Sequence, residues 1–173
     1  MQGLRRNIEL KCRCADLAQA RQRAHELGAH DAGVLEQDDV FFDAPLGRLK
    51  LRDGGGGRAE LISYRRADTP DARGSDFFTY PVGDPAALRA TLAHALRTGG
   101  TVRKRRHLFL YRQTRIHLDD VEGLGQFVEL ETVMAGQSEA EAEAELRHVA
   151  AALSLKPEDA VAQPYVELLP RRA

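Results

Sequence analysis

A strict alternation of side chains in the first segment, NIELKCRC at residues 7–14, most constrains what this chain can fold into. In an extended strand, successive side chains point to opposite faces. One face of this segment therefore carries the apolar side chains, which are Ile8, Leu10, Cys12 and Cys14. The other face carries the polar ones, which are Asn7, Glu9, Lys11 and Arg13. The fold must place something opposite a face that bears charges of both signs.

Length and composition indicate one compact domain. The chain has 173 residues, of which 43% are hydrophobic, and we expect a single domain over residues 1–173. No apolar run reaches the length of a membrane span, and neither a signal peptide nor an anchor is visible, so we expect a soluble, cytoplasmic protein. Cys12 and Cys14 share one face of one strand, where they cannot easily pair, and they form no zinc pattern. We expect them to be small buried apolar residues.

Charge is segregated along the chain. The net charge is −1, which predicts neither a nucleic-acid nor a membrane partner. Basic residues cluster at 48–52 and 103–106, whereas acidic residues cluster at 119–131 and 139–145. These clusters are therefore more informative about function than the overall charge.

Three helices and eight strands are predicted. Helices begin at Asp16, at Asp84 before a proline, and at the capping box of Ser138, and the third runs to about Leu155. Two glycines, Gly99 and Gly100, are expected to end the second helix. Strands are predicted at residues 7–14, 37–43, 46–53, 58–66, 75–82, 101–112, 114–121 and 125–133. Because strands predominate and no βαβ alternation is sustained, we predict an α+β fold with a large, mainly antiparallel sheet.

Like charges share single faces of the predicted strands. Arg48, Lys50 and Arg52 share one face, and Glu129 and Glu131 share one face of another strand. For one strand alone, a solvent-exposed face is the simplest interpretation. Several such strands side by side would repel one another. A polyphosphate with a divalent metal would neutralise both sets, because Lys and Arg bind phosphate oxygens and carboxylates bind hard cations.

For two of the predicted strands, the alternation does not decide which face points into the interior. In ELISYRR, Arg65 is in phase with Leu61 whereas Arg66 is in phase with Ile62. In VRKRRHLFLY, Lys104 and Arg106 share one face with Val102, Leu108 and Leu110, whereas the other face carries Arg103, Arg105, His107 and Phe109. Alternation alone cannot decide which set points inward.

Seven segments occur in order along the chain: NIELK, QDDVFF, LKLR, LISYRR, VRKRRHLFLY, IHLDDVEGLGQFVELE and YVELL. Together they resemble the CYTH superfamily of triphosphate tunnel metalloenzymes. This family includes class IV adenylyl cyclases, thiamine triphosphatases and inorganic triphosphatases. The match extends from near residue 7 to near residue 169, and DDVEGLGQFVELE is closest to the class IV cyclase branch. The resemblance implies a closed, antiparallel, eight-stranded β-barrel with flanking helices, which can hold one small ligand.

The same resemblance implies the site residues. The expected triphosphate contacts are Lys11, Lys50, Arg52, Arg65, Lys104 and Arg106. The expected ligands of Mg²⁺ or Mn²⁺ are Glu9, Glu129 and Glu131, with Asp119 beside them. Lys11 and Glu9 are the expected catalytic pair. For three further residues of suitable phase, ligand contact and an ordinary polar role are equally expected: Arg48, Arg115 and His117.

The chain departs from the family hallmark, Glu-x-Glu-x-Lys, at its first position, which is Asn7. An amide in place of a carboxylate removes a charge and a strong metal ligand, so the number of metal ions stays open, and Asp39 is an acid that could compensate.

Three functions follow from the resemblance. The first is a class IV adenylyl cyclase-like enzyme that converts ATP to cyclic AMP and pyrophosphate. The second is a tripolyphosphatase or a thiamine or nucleoside triphosphatase, and the third is a non-catalytic binder of polyphosphate or nucleotide. The expected partner is a small triphosphate, bound by a monomer or a homodimer.

Overall fold

The computed structural model describes residues 3–170 and contains eight strands, four α-helices and one short 3₁₀ helix. The strands are β1 (Arg5–Arg13), β2 (His30–Phe42), β3 (Arg48–Asp53), β4 (Ala59–Arg66), β5 (Arg73–Val82), β6 (Thr98–Tyr111), β7 (Thr114–Val121) and β8 (Gly125–Val133). The helices are α1 (Leu17–Glu26), α2 (Pro85–Ala95), α3 (Glu139–Ala152) and α4 (Tyr165–Leu168), and the 3₁₀ helix is Pro157–Asp159. Among residues 3–170, no helix is both long and apolar enough to cross a membrane.

The strands form a closed antiparallel barrel in the order β1-β5-β4-β3-β2-β6-β7-β8. The ring closes where β8 pairs with β1 over seven residue pairs. This confirms the prediction of an α+β fold built on a closed eight-stranded barrel with flanking helices. Because side chains alternate along each strand, one half of them lines the bore and the other half faces the helices.

The register brings charged residues of neighbouring strands together inside the bore. In the β1–β8 pair, Glu9 lies opposite Glu131 and Lys11 lies opposite Glu129. In the β7–β8 pair, His117 also lies opposite Glu129. The polar face of the first segment therefore faces the enclosed interior.

The helices begin at the predicted caps. The side chains of Asp16 and Asp84 each accept a hydrogen bond from a backbone N–H in the first turn of α1 and α2. Ser138 and Glu141 form the predicted capping box of α3, which ends at Ala152, slightly earlier than expected.

The main hydrophobic core lies outside the barrel, under α1 and α3. Ile8, Phe109, Ile116 and Leu130 project outward from four strands and pack with Leu146 of α3, all almost completely buried. Separating an outer apolar layer from an inner polar bore is what the alternating sequence pattern requires. Cys12 is buried and Cys14 half-buried, and both are free thiols, as expected for small apolar residues.

The start of β2 and the end of α2 differ most from the prediction. β2 begins at His30 instead of residue 37, because a β-bulge between Asp31 and Val34 interrupts the alternation in its first half. Gly33 within this bulge has a φ of +89°, a left-handed conformation that favours glycine. β6 begins at Thr98 and contains the two glycines expected to end α2.

Candidate active site

The bore of the barrel encloses a strongly charged cavity of about 300 Å³. Its cationic lining residues are Arg5, Lys11, Lys50, Arg52, Arg66, Lys104, Arg106 and Arg115. Its acidic lining residues are Glu9, Asp39, Glu60, Glu129 and Glu131. The volume is at the lower end of the range for small-molecule sites, and the excess of cations suits an anionic ligand.

Five of the six basic residues expected to contact phosphate line this cavity, but Arg65 does not. Arg65 is exposed, and its neighbour Arg66 lies in the cavity with a side chain only 3% exposed. The placement expected for Arg65 is therefore wrong. The reason is register, since Lys50 points inward and is paired with Ile62, which puts Ile62 and Arg66 on the inner face.

One buried carboxylate, Asp39, holds three of the expected phosphate contacts together. Asp39 is 1% exposed and accepts hydrogen bonds from Arg52 at 2.7 Å on both oxygens, from Lys104 at 2.8 Å and from Lys50 at 3.3 Å. Burial alone would raise the pKa of Asp39, but the three cations outweigh burial and hold the pKa well below its usual range. Asp39 is thus a shared counter-ion.

Three cations around one carboxylate leave net positive charge in the cavity. Burial lowers the pKa of Lys104 to about 7, because Asp39 offsets only part of the effect and Arg52, Arg106 and Lys50 repel the ammonium. An anion entering beside these groups would restore the balance, so this part of the cavity is suited to bind phosphate.

A second ion-pair cluster fixes Arg106. Both oxygens of Asp119 accept from Arg106, at 2.7 and 2.6 Å, and Asp119 also accepts from the hydroxyl of Tyr165 at 3.0 Å. Arg106 donates in addition to Glu129 at 2.8 Å. Asp119 is fully buried and serves here as the counter-ion of Arg106, and its expected role as a metal ligand stays a prediction.

The expected catalytic pair lies in the same bore, with its charges already partnered. Glu9 lies 3.2 Å from both Arg66 and Arg73. Burial and the repulsion from Glu129 raise the pKa of Glu9. Lys11 lies 3.6 Å from Glu129, and burial lowers the pKa of the Lys11 ammonium. Their catalytic roles stay predictions.

Three side chains are close enough to share one metal ion. Candidate ligand atoms of His117, Glu129 and Glu131 all lie within 4.8 Å of one another. Burial would raise the pKa of Glu129, but the positive charges of Lys11 and Arg106 hold that pKa well below its usual range, which keeps the carboxylate ionised. Ionised carboxylates with an imidazole fit a divalent cation. Glu9, also expected as a metal ligand, lies outside this group of three.

Asn7 lies beside this group. It is 4% exposed, and its Nδ2 donates to Glu131 at 3.5 Å. Arg115 also lies 3.5 Å from Glu131. Arg48, by contrast, is paired with Asp68 and Glu167 and does not line the central cavity.

Among the residues missed in the sequence, three contact expected site residues: Arg66, Arg73 and Tyr165. Arg73 is the first residue of β5 and lies on the same face as Ser75, which lines the cavity. It was missed because the predicted strand began two residues later, at Ser75. Tyr165 begins the segment YVELL, and its ring lies 4.2 Å from the Lys11 ammonium. Only the tertiary structure brings this C-terminal residue to the bore.

Comparison with known protein families gives a match over most of the chain. The family model described as CYTH domain matches residues 5–165. None of the curated protein sequences matches the chain.

Solved structures share the fold over nearly the whole chain. The PH1012 protein from Pyrococcus horikoshii OT3 is 26% identical, with a TM-score of 0.85 over 95% of this chain and 99% of that protein. A candidate adenylate cyclase from Vibrio parahaemolyticus is 21% identical, with a TM-score of 0.77 over 96% of this chain and 98% of its own. HpAC1 from Hippeastrum, a candidate adenylyl cyclase with a dominant triphosphatase activity, is 14% identical. Its TM-score is 0.62 over 87% of this chain and 88% of its own.

Proposed function

The chain belongs to the CYTH domain family, and we propose that it is a metal-dependent enzyme that acts on a triphosphate group bound inside the barrel. The observation that carries this proposal is the division of the bore into two walls. Lys50, Arg52 and Lys104 project from β3 and β6 around Asp39, whereas Glu129 and Glu131 project from β8. In the ring of strands, β8 lies across the bore from β3.

A triphosphate together with a divalent metal ion between these walls would satisfy both. The basic side chains would hold its oxygens in an extended conformation, which fixes the reacting phosphorus in place. A divalent ion bound at His117, Glu129 and Glu131 would supply electrostatic neutralisation of the charge that develops on the phosphate oxygens. Arg106, which contacts both Asp119 and Glu129, links the basic wall to this ion site.

The first proposed reaction is that of an adenylyl cyclase. The 3′-hydroxyl of ATP gives up its proton to water and its oxygen attacks the α-phosphorus. The bond from that phosphorus to the bridging oxygen breaks, and cyclic AMP and pyrophosphate form. Similarity to the Vibrio candidate cyclase supports this assignment through the fold alone. Lys11 and Glu9, adjacent on the inner face of β1, are proposed to orient the attacking hydroxyl.

The second candidate is hydrolysis of a terminal phosphate by water. The charged lining favours it, because thirteen charged residues surround a cavity of about 300 Å³, a volume at the lower end of the range for small-molecule sites. The dominant triphosphatase activity of HpAC1, a protein of the same fold, is in line with this alternative.

One experiment separates these functions. Purified protein is incubated with ATP or with tripolyphosphate, each with Mg²⁺ or Mn²⁺, and the products are resolved by ion-exchange chromatography. Cyclic AMP with pyrophosphate supports the cyclase, and orthophosphate supports the hydrolase. If no product forms with either metal while tripolyphosphate still binds in calorimetry, the protein is a binder, and if nothing binds, the proposed site is wrong.

A further inference from the structure

Two buried polar atoms beside the carboxylates Glu129 and Glu131 have no hydrogen-bond partner in the described part of the chain. They are Nδ1 of His117 and Oδ1 of Asn7, and each residue is 4% exposed. Buried polar atoms are normally paired, so an unpaired one points to a missing partner. A lone pair on a ring nitrogen and a lone pair on an amide oxygen are both suited to a metal ion.

The carboxylates keep ligand capacity in spite of their cationic neighbours. Arg106 donates to Oε2 of Glu129, whereas the nearest ammonium to Oε1, that of Lys11, is 3.6 Å away and beyond hydrogen-bond distance. Both contacts to Glu131 are long, at 3.5 Å from Asn7 and from Arg115. Nδ1 of His117 lies 3.5 Å from Oε2 of Glu129 without a hydrogen bond between them.

We propose that His117 is a direct metal ligand in this chain, so that the site combines one nitrogen with the oxygens of Glu129 and Glu131 and selects transition-metal ions over Mg²⁺. Imidazole favours late first-row ions, whereas Mg²⁺ prefers an all-oxygen octahedron. Asn7 contributes to the same preference, since a neutral amide replaces a carboxylate and weakens the attraction for Mg²⁺. The inference rests on the proposed function only in placing a metal ion in the bore.

The test is metal binding without substrate. The metal-free protein is titrated with CoCl₂ and separately with MgCl₂ in a calorimeter, and the Co²⁺ form is examined by NMR for paramagnetically shifted imidazole protons. For His117→Gln we expect the Co²⁺ affinity to fall at least tenfold, about the smallest loss seen on perturbing a ligand's environment. The Mg²⁺ affinity should change less than about threefold, and the shifted imidazole signals should vanish. His30→Gln, at an exposed histidine on β2, is the matched control and should behave as the wild type.

A second variant covers the possibility that His117→Gln does not fold. Asn7→Asp adds a carboxylate, and we expect the ratio of Co²⁺ to Mg²⁺ affinity to fall at least about tenfold, mainly because Mg²⁺ binds more tightly. Equal loss of both metals in His117→Gln, persistence of the imidazole signals, or an unchanged ratio in Asn7→Asp would overturn the inference. Turnover with tripolyphosphate is scored separately, so either hypothesis can fail while the other stands.

Discussion

Replacing Asp39 with asparagine would remove the carboxylate that Lys50, Arg52 and Lys104 share. Asp39 and Lys104 are buried, Lys50 and Arg52 are half-buried, and the contacts to Asp39 are 2.7–3.3 Å long. Removing one partner from a buried ion pair typically costs about 3–5 kcal/mol, because the remaining charges lose their compensation. For a chain of this size, about 1 kcal/mol corresponds to roughly 2–4 °C in melting temperature. We therefore expect Asp39→Asn to melt roughly 6–20 °C below the wild type.

The penalty should also depend on pH. The pKa of Lys104 is about 7 in the folded protein, below its usual value, and loss of Asp39 should lower this pKa further. In the range between the lower pKa of the variant and 7, the unfolded variant binds a proton at Lys104 that the folded variant does not. Its stability therefore falls on acidification by up to about 1.4 kcal/mol per pH unit. The difference from the wild type should grow between pH 8 and pH 6.

The assay is chemical denaturation and calorimetric melting at pH 6, 7 and 8, with and without tripolyphosphate. Glu36→Gln is the control, because Glu36 lies on the same strand in an exposed pair with Arg105 at 3.5 Å, and such pairs contribute at most about 1 kcal/mol. Tripolyphosphate should stabilise Asp39→Asn more than the wild type, since the anion replaces the missing charge. A loss below about 1 kcal/mol, or an equal gain from tripolyphosphate in both proteins, would refute the reasoning.

Three further predictions follow from single contacts. Arg66→Ala should weaken tripolyphosphate binding at least about tenfold, as expected for loss of a charge-assisted hydrogen bond. Arg65→Ala is the control and should leave the calorimetric affinity unchanged. Equal effects of the two substitutions would contradict the register of β4. Tripolyphosphate binding at pH 8 should raise the pKa of Lys104, so that the wild type takes up a proton from the buffer on binding. The binding enthalpy of the wild type should therefore depend on the ionisation enthalpy of the buffer more than that of Lys104→Arg does. Identical buffer dependence in the two proteins would rule this out. Ser138→Ala should destabilise the protein by about 1 kcal/mol in denaturation and leave binding intact, because Ser138 caps α3, which packs outside the barrel and lines none of the cavity; an altered affinity would contradict this.

Local signals were sufficient for most of the elements. The caps at Asp16, Asp84 and Ser138 were read correctly because capping depends on side chains within one turn. The first half of β2 was missed because the bulge at Gly33 breaks the period of two on which strand prediction relies. Closure into a barrel came from the family resemblance, since alternation gives two faces but does not say that one of them is enclosed.

The site was predictable where one face of a strand is uniformly polar, as for Glu9 and Lys11 on β1. It was not predictable on β4, where apolar residues occur on both faces. Ile62 lines the bore there, and Leu61 packs outside against the cluster under α2. The phase of Arg66 is therefore fixed by pairing with β3 and not by its own neighbours in sequence. Tyr165 and His117 depend on contacts across the fold for the same reason.

The closure of β8 on β1 has a mechanical consequence. A ring of strands has no free edge, so its circumference cannot grow without breaking backbone hydrogen bonds along an entire strand pair, such as the seven residue pairs between β1 and β8. The backbone of the barrel is therefore rigid. Ligands of different length would be accommodated by changes in the rotamers of the long lysine and arginine side chains that line the bore. Selectivity among phosphate compounds should then be determined by side-chain rotamers and their entropy, while the backbone stays almost still.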